Sequence, residues 1–383
     1  MAYRKFSADQ LFDGERMLEK EQVLITDEHG IIKDIVPAVD AGSDIQHFQG
    51  ILSPGFVNCH CHLELSHMKG AIAEKTGLIN FVYDIIRLRH FSEREILDAI
   101  KLGDEEMTRN GIVAVGDICN NALTLQQKTA SQLHYQNFVE ASGFTDVVAE
   151  ERFQRALQIQ QAFTSNALQA SVVPHAPYSV SEALWEKIVH LAGNDLLTIH
   201  NQETIPENEL FLERKGDFLS FYEKMKIDIA WFIASGKTSV QTFLPKFSAR
   251  QQVILVHNVY TSKEDIRFTK TAGNPDLYWC LCPNANLYIT NQLPDIQMMM
   301  EEDCSIVFGT DSLASNHQLS ILDEMKSVHE RFPGIPLQSL FNWATLNGAK
   351  ALKIDDRFGS FTNGKKPGVV LCKEDLSLCE RLA

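Results

Sequence analysis

The stretch Ile51-Leu52-Ser53-Pro54-Gly55-Phe56-Val57-Asn58-Cys59-His60-Cys61-His62 ends an apolar run on side chains that can hold a metal. A short apolar run bounded by turn residues reads as a strand buried on both faces. Side chains two apart on a strand share a face, so His60 and His62 can approach one ion together. Cys59 and Cys61 then turn the other way, into packing. The string Cys-His-Cys-His is thus read as two ligands and two packing thiols, not as a four-ligand zinc site.

The same event recurs along the chain. Strand-like runs are expected at 51–58, 111–119, 134–140, 169–175, 195–200, 253–257, 277–282 and 304–310, with helical patterns such as 93–107 and 181–191 between them. Eight buried strands alternating with helices predict an α/β fold, a parallel (β/α)8 TIM barrel, whose C-terminal strand ends converge on one mouth. The fifth run ends at His200, the sixth at His257, and Asp311 follows the eighth. Three imidazoles and a carboxylate suit one divalent metal ion per chain, Zn2+ first and Fe2+ as the alternative, with a position open for water. A lone histidine is more often a surface or hydrogen-bonded residue, and His29, His47, His90, His190 and His329 are read that way. Glu203, three residues after His200, reads either as a helix-start carboxylate or as a proton shuttle beside the metal. The neighbouring ligand candidate favours the shuttle.

The 383 residues carry a net charge of -15, which argues against nucleic acid, because phosphate binding needs clustered Lys and Arg. The start, Met1 to Phe6, has no apolar run long enough for a signal peptide, and no segment has the length and apolarity of a membrane span. A cytoplasmic protein acting on a small molecule, without membrane partners, is expected. The eight cysteines, at 59, 61, 119, 280, 282, 304, 372 and 379, are expected to be reduced. Gly359 to Lys366 nearly matches a phosphate-binding loop but lacks the final Ser or Thr, and is read as a turn. His62-Leu63-Glu64 has the HxE of cytidine-type deaminases without their PCxxC partner. Short strand-like pieces at 22–26, 31–36 and 369–371 suggest a small β-domain built from both chain ends. The expected division is 1–50 with 357–383 against 51–356.

Pro54 to His62 resembles the PGxxNxHxH motif of the amidohydrolase superfamily. His175-Ala176-Pro177-Tyr178, His200 with Glu203, Val256-His257 and Gly309-Thr310-Asp311 follow in the family's order. Cys282 to Leu287 and Gly309 to Asn316 are similar to the branch that holds S-adenosylhomocysteine deaminases, guanine deaminases and triazine chlorohydrolases. The resemblance spans nearly the whole chain and implies a barrel with a β-sandwich formed from both ends. It further implies that His60, His62, His200 and Asp311 hold the metal, that Glu203, His257 and Asp311 are catalytic, and that a homodimer is one common assembly. No Lys lies between 169 and 180, where binuclear relatives carry a bridging one, so a single metal is implied. His62-Leu63-Glu64-Leu65-Ser66 is similar to the HxHxExS variant of aminodeoxyfutalosine deaminases, whereas Gly364 to Gly368 departs from the usual GKxAD ending. The implied activity is hydrolytic removal of ammonia from an aminated purine-type ring of a nucleoside-like substrate, with 6-aminodeoxyfutalosine as a named candidate. A chlorohydrolase or cyclic-amide hydrolase on the same metal is the alternative, and a non-catalytic assembly protein a third. Substrate contacts are expected from Glu64, Asn120, His175 and Tyr178, and from Arg87 or Arg89, either of which reads equally well as part of a solvated helix face.

Overall fold

The computed structural model describes residues 3–193, 195–271 and 276–383. Its strands are β1 (Tyr3–Leu11), β2 (Gln22–Asp27), β3 (Ile32–Pro37), β4 (Ile45–Pro54), β5 (Phe56–Cys61), β6 (Ile112–Cys119), β7 (His134–Ala141), β8 (Gln169–Pro174), β9 (Leu196–Asn201), β10 (Gln252–His257), β11 (Asp276–Leu281), β12 (Ile306–Phe308), β13 (Val369–Cys372) and β14 (Cys379–Arg381). Helices used below are α1 (Leu78–Leu88), α2 (Glu93–Arg109), α3 (Leu125–Ala130), α4 (Ala149–Thr164), α5 (Glu182–Ala192), α6 (Ile205–Glu213) and α7 (Asp217–Lys224).

The central strands form two parallel four-stranded sheets, ordered β5-β6-β7-β8 and β12-β11-β10-β9. Every residue of β5, β6, β9 and β10 is buried, as parallel strands covered on both faces require. Hydrogen bonds join the sheets at both edges. Ser171 Oγ donates to Leu196 O at 2.8 Å and His200 N to His175 O at 3.0 Å, while the N–H groups of Thr310 and Asp311 both donate to His60 O, at 2.9 and 3.0 Å. Helix starts follow local chemistry. Ser92 and Glu95 cap α2 reciprocally, and Ser181 accepts from Leu184 N to begin α5.

One expectation needs correction. The run 51–58 is not one strand. It divides at Gly55 between β4, in the terminal sheet, and β5, in the central one. A Cβ at Gly55 would lie 2.3 Å from Val113 Cγ1 and 2.7 Å from Pro367 O, so the crossing needs glycine. The terminal strands form one mixed six-stranded sheet, ordered β14-β13-β4-β1-β2-β3. Its apolar cluster, which includes Phe6, Leu24, Leu52, Phe361 and Val369, is built by both chain ends. A further apolar cluster, including Phe81, Phe144, Tyr178, Phe218 and Tyr222, brings α1 and α7 over the C-terminal strand ends. No helix among the described residues is long and apolar enough to cross a membrane. All eight cysteines are free thiols.

Candidate active site

Strand geometry gathers the histidines read from the sequence. His60 and His62 leave the end of β5 on one face, with ring centroids 4.9 Å apart. His200 near the end of β9 stands 4.9 Å from His60 and 5.5 Å from His62, and His257 at the end of β10 stands 5.8 Å from His60. Asp311, just past β12, places Oδ1 3.5 Å from His60 Nε2 and 3.4 Å from His62 Nε2. All five side chains are buried.

Second partners hold these groups in place. Asn58 Oδ1 accepts from Thr310 N (3.1 Å) and His60 N (3.3 Å), and its Nδ2 donates to Thr310 Oγ1 (2.8 Å). That one amide ties the first ligand strand to the segment carrying Asp311. His200 Nδ1 sits 2.8 Å from His175 O, which directs Nε2 inward. Ser315 Oγ donates to Asp311 Oδ2 at 2.6 Å, leaving Oδ1 toward the imidazoles. Gly309 permits the close pass, since a Cβ there would meet His60 Cβ at 2.7 Å. Gln202, His257, Asn258 and Asp311 all have positive φ, at 46, 75, 59 and 56°. Backbone strain of this kind, about 1–3 kcal/mol per residue, concentrates where function over-determines geometry.

The donor set fits a divalent cation. Neither ring nitrogen of His60 has a hydrogen-bond partner, nor has His62 Nδ1, and a buried polar atom without a partner is costly. Burial holds the His62 and His200 imidazoles neutral, down to about 4 in each case, with neighbouring imidazoles adding to it. Burial raises Asp311, but His60 first and then His62 and His257 outweigh it and keep the carboxylate ionised. Neutral nitrogens around an anionic oxygen are what a borderline-soft dication takes.

Glu203 Oε2 lies 3.7 Å from His257 Nε2. Burial, then the charges of Asp311 and Glu207, holds the Glu203 proton well above the usual carboxylate range. Asn286 Nδ2 meets His257 Nδ1 at 3.0 Å, so an amide donating there leaves the ring proton on Nε2, toward Glu203.

A cavity of about 480 Å3 opens from this cluster. His62, Glu64, Arg89, Asn120, His175 and Tyr178 line it together with His200, Glu203, His257 and Asp311. Glu64 accepts the Asn120 N–H on both oxygens, at 3.1 and 3.0 Å, so it also holds the turn after β6. Arg87 is placed elsewhere. It pairs with Asp84 at 3.3 Å on the exposed side of α1 and is not part of the lining. Four residues were not singled out from the sequence. Glu140, at the end of β7, takes an Asn120 Nδ2 bond at 3.0 Å, stands 3.4 Å from His200 Nδ1, and is pushed by burial up to about 8. Glu207 accepts the N–H groups of Gln202 (3.0 Å) and Glu203 (3.4 Å). Arg152 and Arg155 of α4 join the lining at the rim.

Residues 51–380 match the Amidohydrolase family. A 5-methylthioadenosine/S-adenosylhomocysteine deaminase of Pyrococcus horikoshii is 24% identical over 371 residues, covering 92% of this chain and 79% of its own. A crystal structure of Helicobacter pylori aminofutalosine deaminase in complex with methylthio-coformycin superposes with a TM-score of 0.81 at 21% identity, covering 97% of this chain and 92% of that one. An adenosine deaminase from Xanthomonas campestris with bound zinc superposes at 0.73 and 20% identity, covering 97% and 84%.

Proposed function

The chain belongs to the amidohydrolase family and is a hydrolase of carbon–nitrogen bonds; from that premise we propose that it removes ammonia from an aminated purine-type ring on a nucleoside-like substrate. The observation that carries the proposal is Glu203, a buried carboxyl that faces the cavity beside His257 and the histidine–aspartate cluster. An aromatic amine leaves only after its ring is protonated and attacked, so the site needs a proton held ready in a dry place.

His60, His62, His200 and Asp311 would hold the ion, zinc first on the chemistry of the donors and the zinc-bearing structural neighbour. When bound, such an ion supplies the Lewis acidity that makes water nucleophilic at neutral pH. His257, braced by Asn286, holds the attacking water in line. Asp311 accepts the water's proton as the oxygen joins the amine-bearing carbon. Glu203 gives its proton to the adjacent ring nitrogen and then helps a proton reach the departing amine. The carbon–nitrogen bond breaks, ammonia leaves, and the ring keeps the oxygen.

Further out, Glu64 and Asn120 are suited to hydroxyl groups, and Tyr178 and His175 to the ring. The lining also includes apolar residues of α1, such as Phe81 and Ile85, and the guanidinium-bearing Arg89, Arg152 and Arg155. A substrate with a flat apolar tail and a terminal anion suits that lining, which puts 6-aminodeoxyfutalosine first among candidates. A chlorohydrolase or cyclic-amide hydrolase would use the same cluster, but no feature of the cavity favours either. We read the two parallel sheets as halves of one (β/α)8 barrel spanning 51–356, flanked by 1–50 and 357–383, with β4 crossing that division.

The test is hydrolysis in 18O-labelled water with zinc-loaded protein and the aminated substrate. The proposal predicts one heavy oxygen in the ring product for each ammonia released. Ammonia without label in the ring product, or label entering only the product of a chlorinated substrate as chloride leaves, would overturn it.

A further inference from the structure

Asp117 on β6 and Lys128 on α3 face each other at 2.5 Å, both side chains wholly shut off from solvent. Neither belongs to the chemistry above. Lys128 Nζ also donates to Asn137 Oδ1 at 2.7 Å, meets Cys119 Sγ at 3.2 Å, and lies about 5 Å over the Tyr135 and Phe163 rings. Its three donor directions are thereby used. Asp117 spends Oδ2 on the lysine, and its other oxygen, Oδ1, accepts the N–H of Leu63 at 2.8 Å.

A buried ion pair returns little net stability, and its best-attested reward is to fix one arrangement among several. The arrangement fixed here is the peptide between His62 and Leu63. β5 ends at Cys61, a 3-10 turn begins at Leu63, and His62 between them has φ -119° and ψ 74°, in neither the strand nor the helix basin. Leaving the strand frees the Leu63 N–H from any ladder partner, and Asp117 takes it. The direction of that peptide sets where the His62 ring points, and the same turn carries Glu64 to the cavity.

We propose that Asp117, locked by Lys128, is a positioning residue for His62 and acts on the metal site from behind it, an inference that rests on the metal reading above. Removing a partner that orients a ligand typically costs 10- to 100-fold in metal affinity. The lysine's part is to hold Asp117 immobile, with Oδ1 toward Leu63, in a place where an unpaired side chain would turn away.

Two neutral replacements of the pair separate the hydrogen bond from the charge. Asp117→Asn with Lys128→Met keeps an acceptor for Leu63, whereas Asp117→Ala with Lys128→Met does not. Cobalt(II) affinity is measured by chelator competition and ligand geometry by the visible spectrum of the cobalt protein, with thermal unfolding of the metal-free chains alongside. The alanine pair should bind cobalt 10- to 100-fold more weakly with an altered spectrum, and the asparagine pair within about threefold of the unchanged chain. Equal affinity and spectrum in the alanine pair overturn the inference, as does an asparagine pair that loses as much as the alanine pair. Should the alanine pair not fold, the asparagine pair decides: retained affinity supports the proposal and lost affinity refutes it. An unchanged chain that binds no cobalt refutes the metal reading itself, and this inference with it.

Discussion

Replacing Asn58 with alanine should loosen the joint on which the candidate metal site depends. In a fully buried place the amide makes three hydrogen bonds to oxygen and nitrogen partners, Thr310 Oγ1, Thr310 N and His60 N, beside a long one to Met107 Sδ at 3.9 Å. At a net ~0.5–1.5 kcal/mol each, their loss sums to roughly 1.5–4.5 kcal/mol. Thr310 N keeps a second acceptor, His60 O at 2.9 Å, so the lower half of that range applies, about 2 kcal/mol. The assay is urea unfolding of the metal-free chain, scored by the shift in midpoint at unchanged slope. Because the same amide spans the segments carrying His60 and Asp311, zinc affinity should fall as well. A midpoint shift equivalent to under about 0.5 kcal/mol, with zinc affinity intact, would refute the claim that Asn58 holds these segments together.

Glu203→Gln should lower kcat by about 100- to 10,000-fold while the bound zinc per chain stays the same, which steady-state kinetics and metal analysis check together. Arg152→Met with Arg155→Met should raise KM about ten- to hundredfold for a substrate with an anionic tail and leave adenosine unaffected, a contrast that a merely damaged fold would not give. Glu324, buried, accepts from Asn284 N and Asn316 Nδ2 at 2.8 Å each and is pushed by burial up to about 8. Its folded value lies above the unfolded value of roughly 4.3, so the stability it contributes is complete below that pH and is lost as pH rises through 8. Unfolding midpoints of the metal-free chain should therefore fall between about pH 4.3 and about 8 and level off above that, and Glu324→Gln should flatten that fall.

Much of the candidate site could be read from the chain because parallel strands announce themselves as apolar runs, and the exceptional residues stand where those runs stop. His60, His200, His257 and Asp311 are gathered for that reason, and the alternation of β5 explains why Cys59 and Cys61 sit apart from the histidines. Glu140 was open to the same argument, as a carboxylate closing the run 134–140, but sequence alone does not tell it from a solvated strand end. Asp117 interrupts an apolar run as well, yet its partner Lys128 is eleven residues away on a short helix and reads as surface. The split at Gly55 was hidden because β4 and β5 are both apolar and only packing against Val113 separates them. Arg87 lies in the last turn of α1 and Arg89 just past its end, and their facing was set by the tertiary placement of α1, which periodicity does not give.

The most direct test of the central claim is ammonia release from zinc-loaded protein offered adenosine, guanosine and 6-aminodeoxyfutalosine, beside a Glu203→Ala control that retains its metal. Turnover of an aminated purine nucleoside is expected, together with its loss in the control. A chain that binds one zinc and releases ammonia from none of them, or a control that works as well as the unchanged chain, would contradict it.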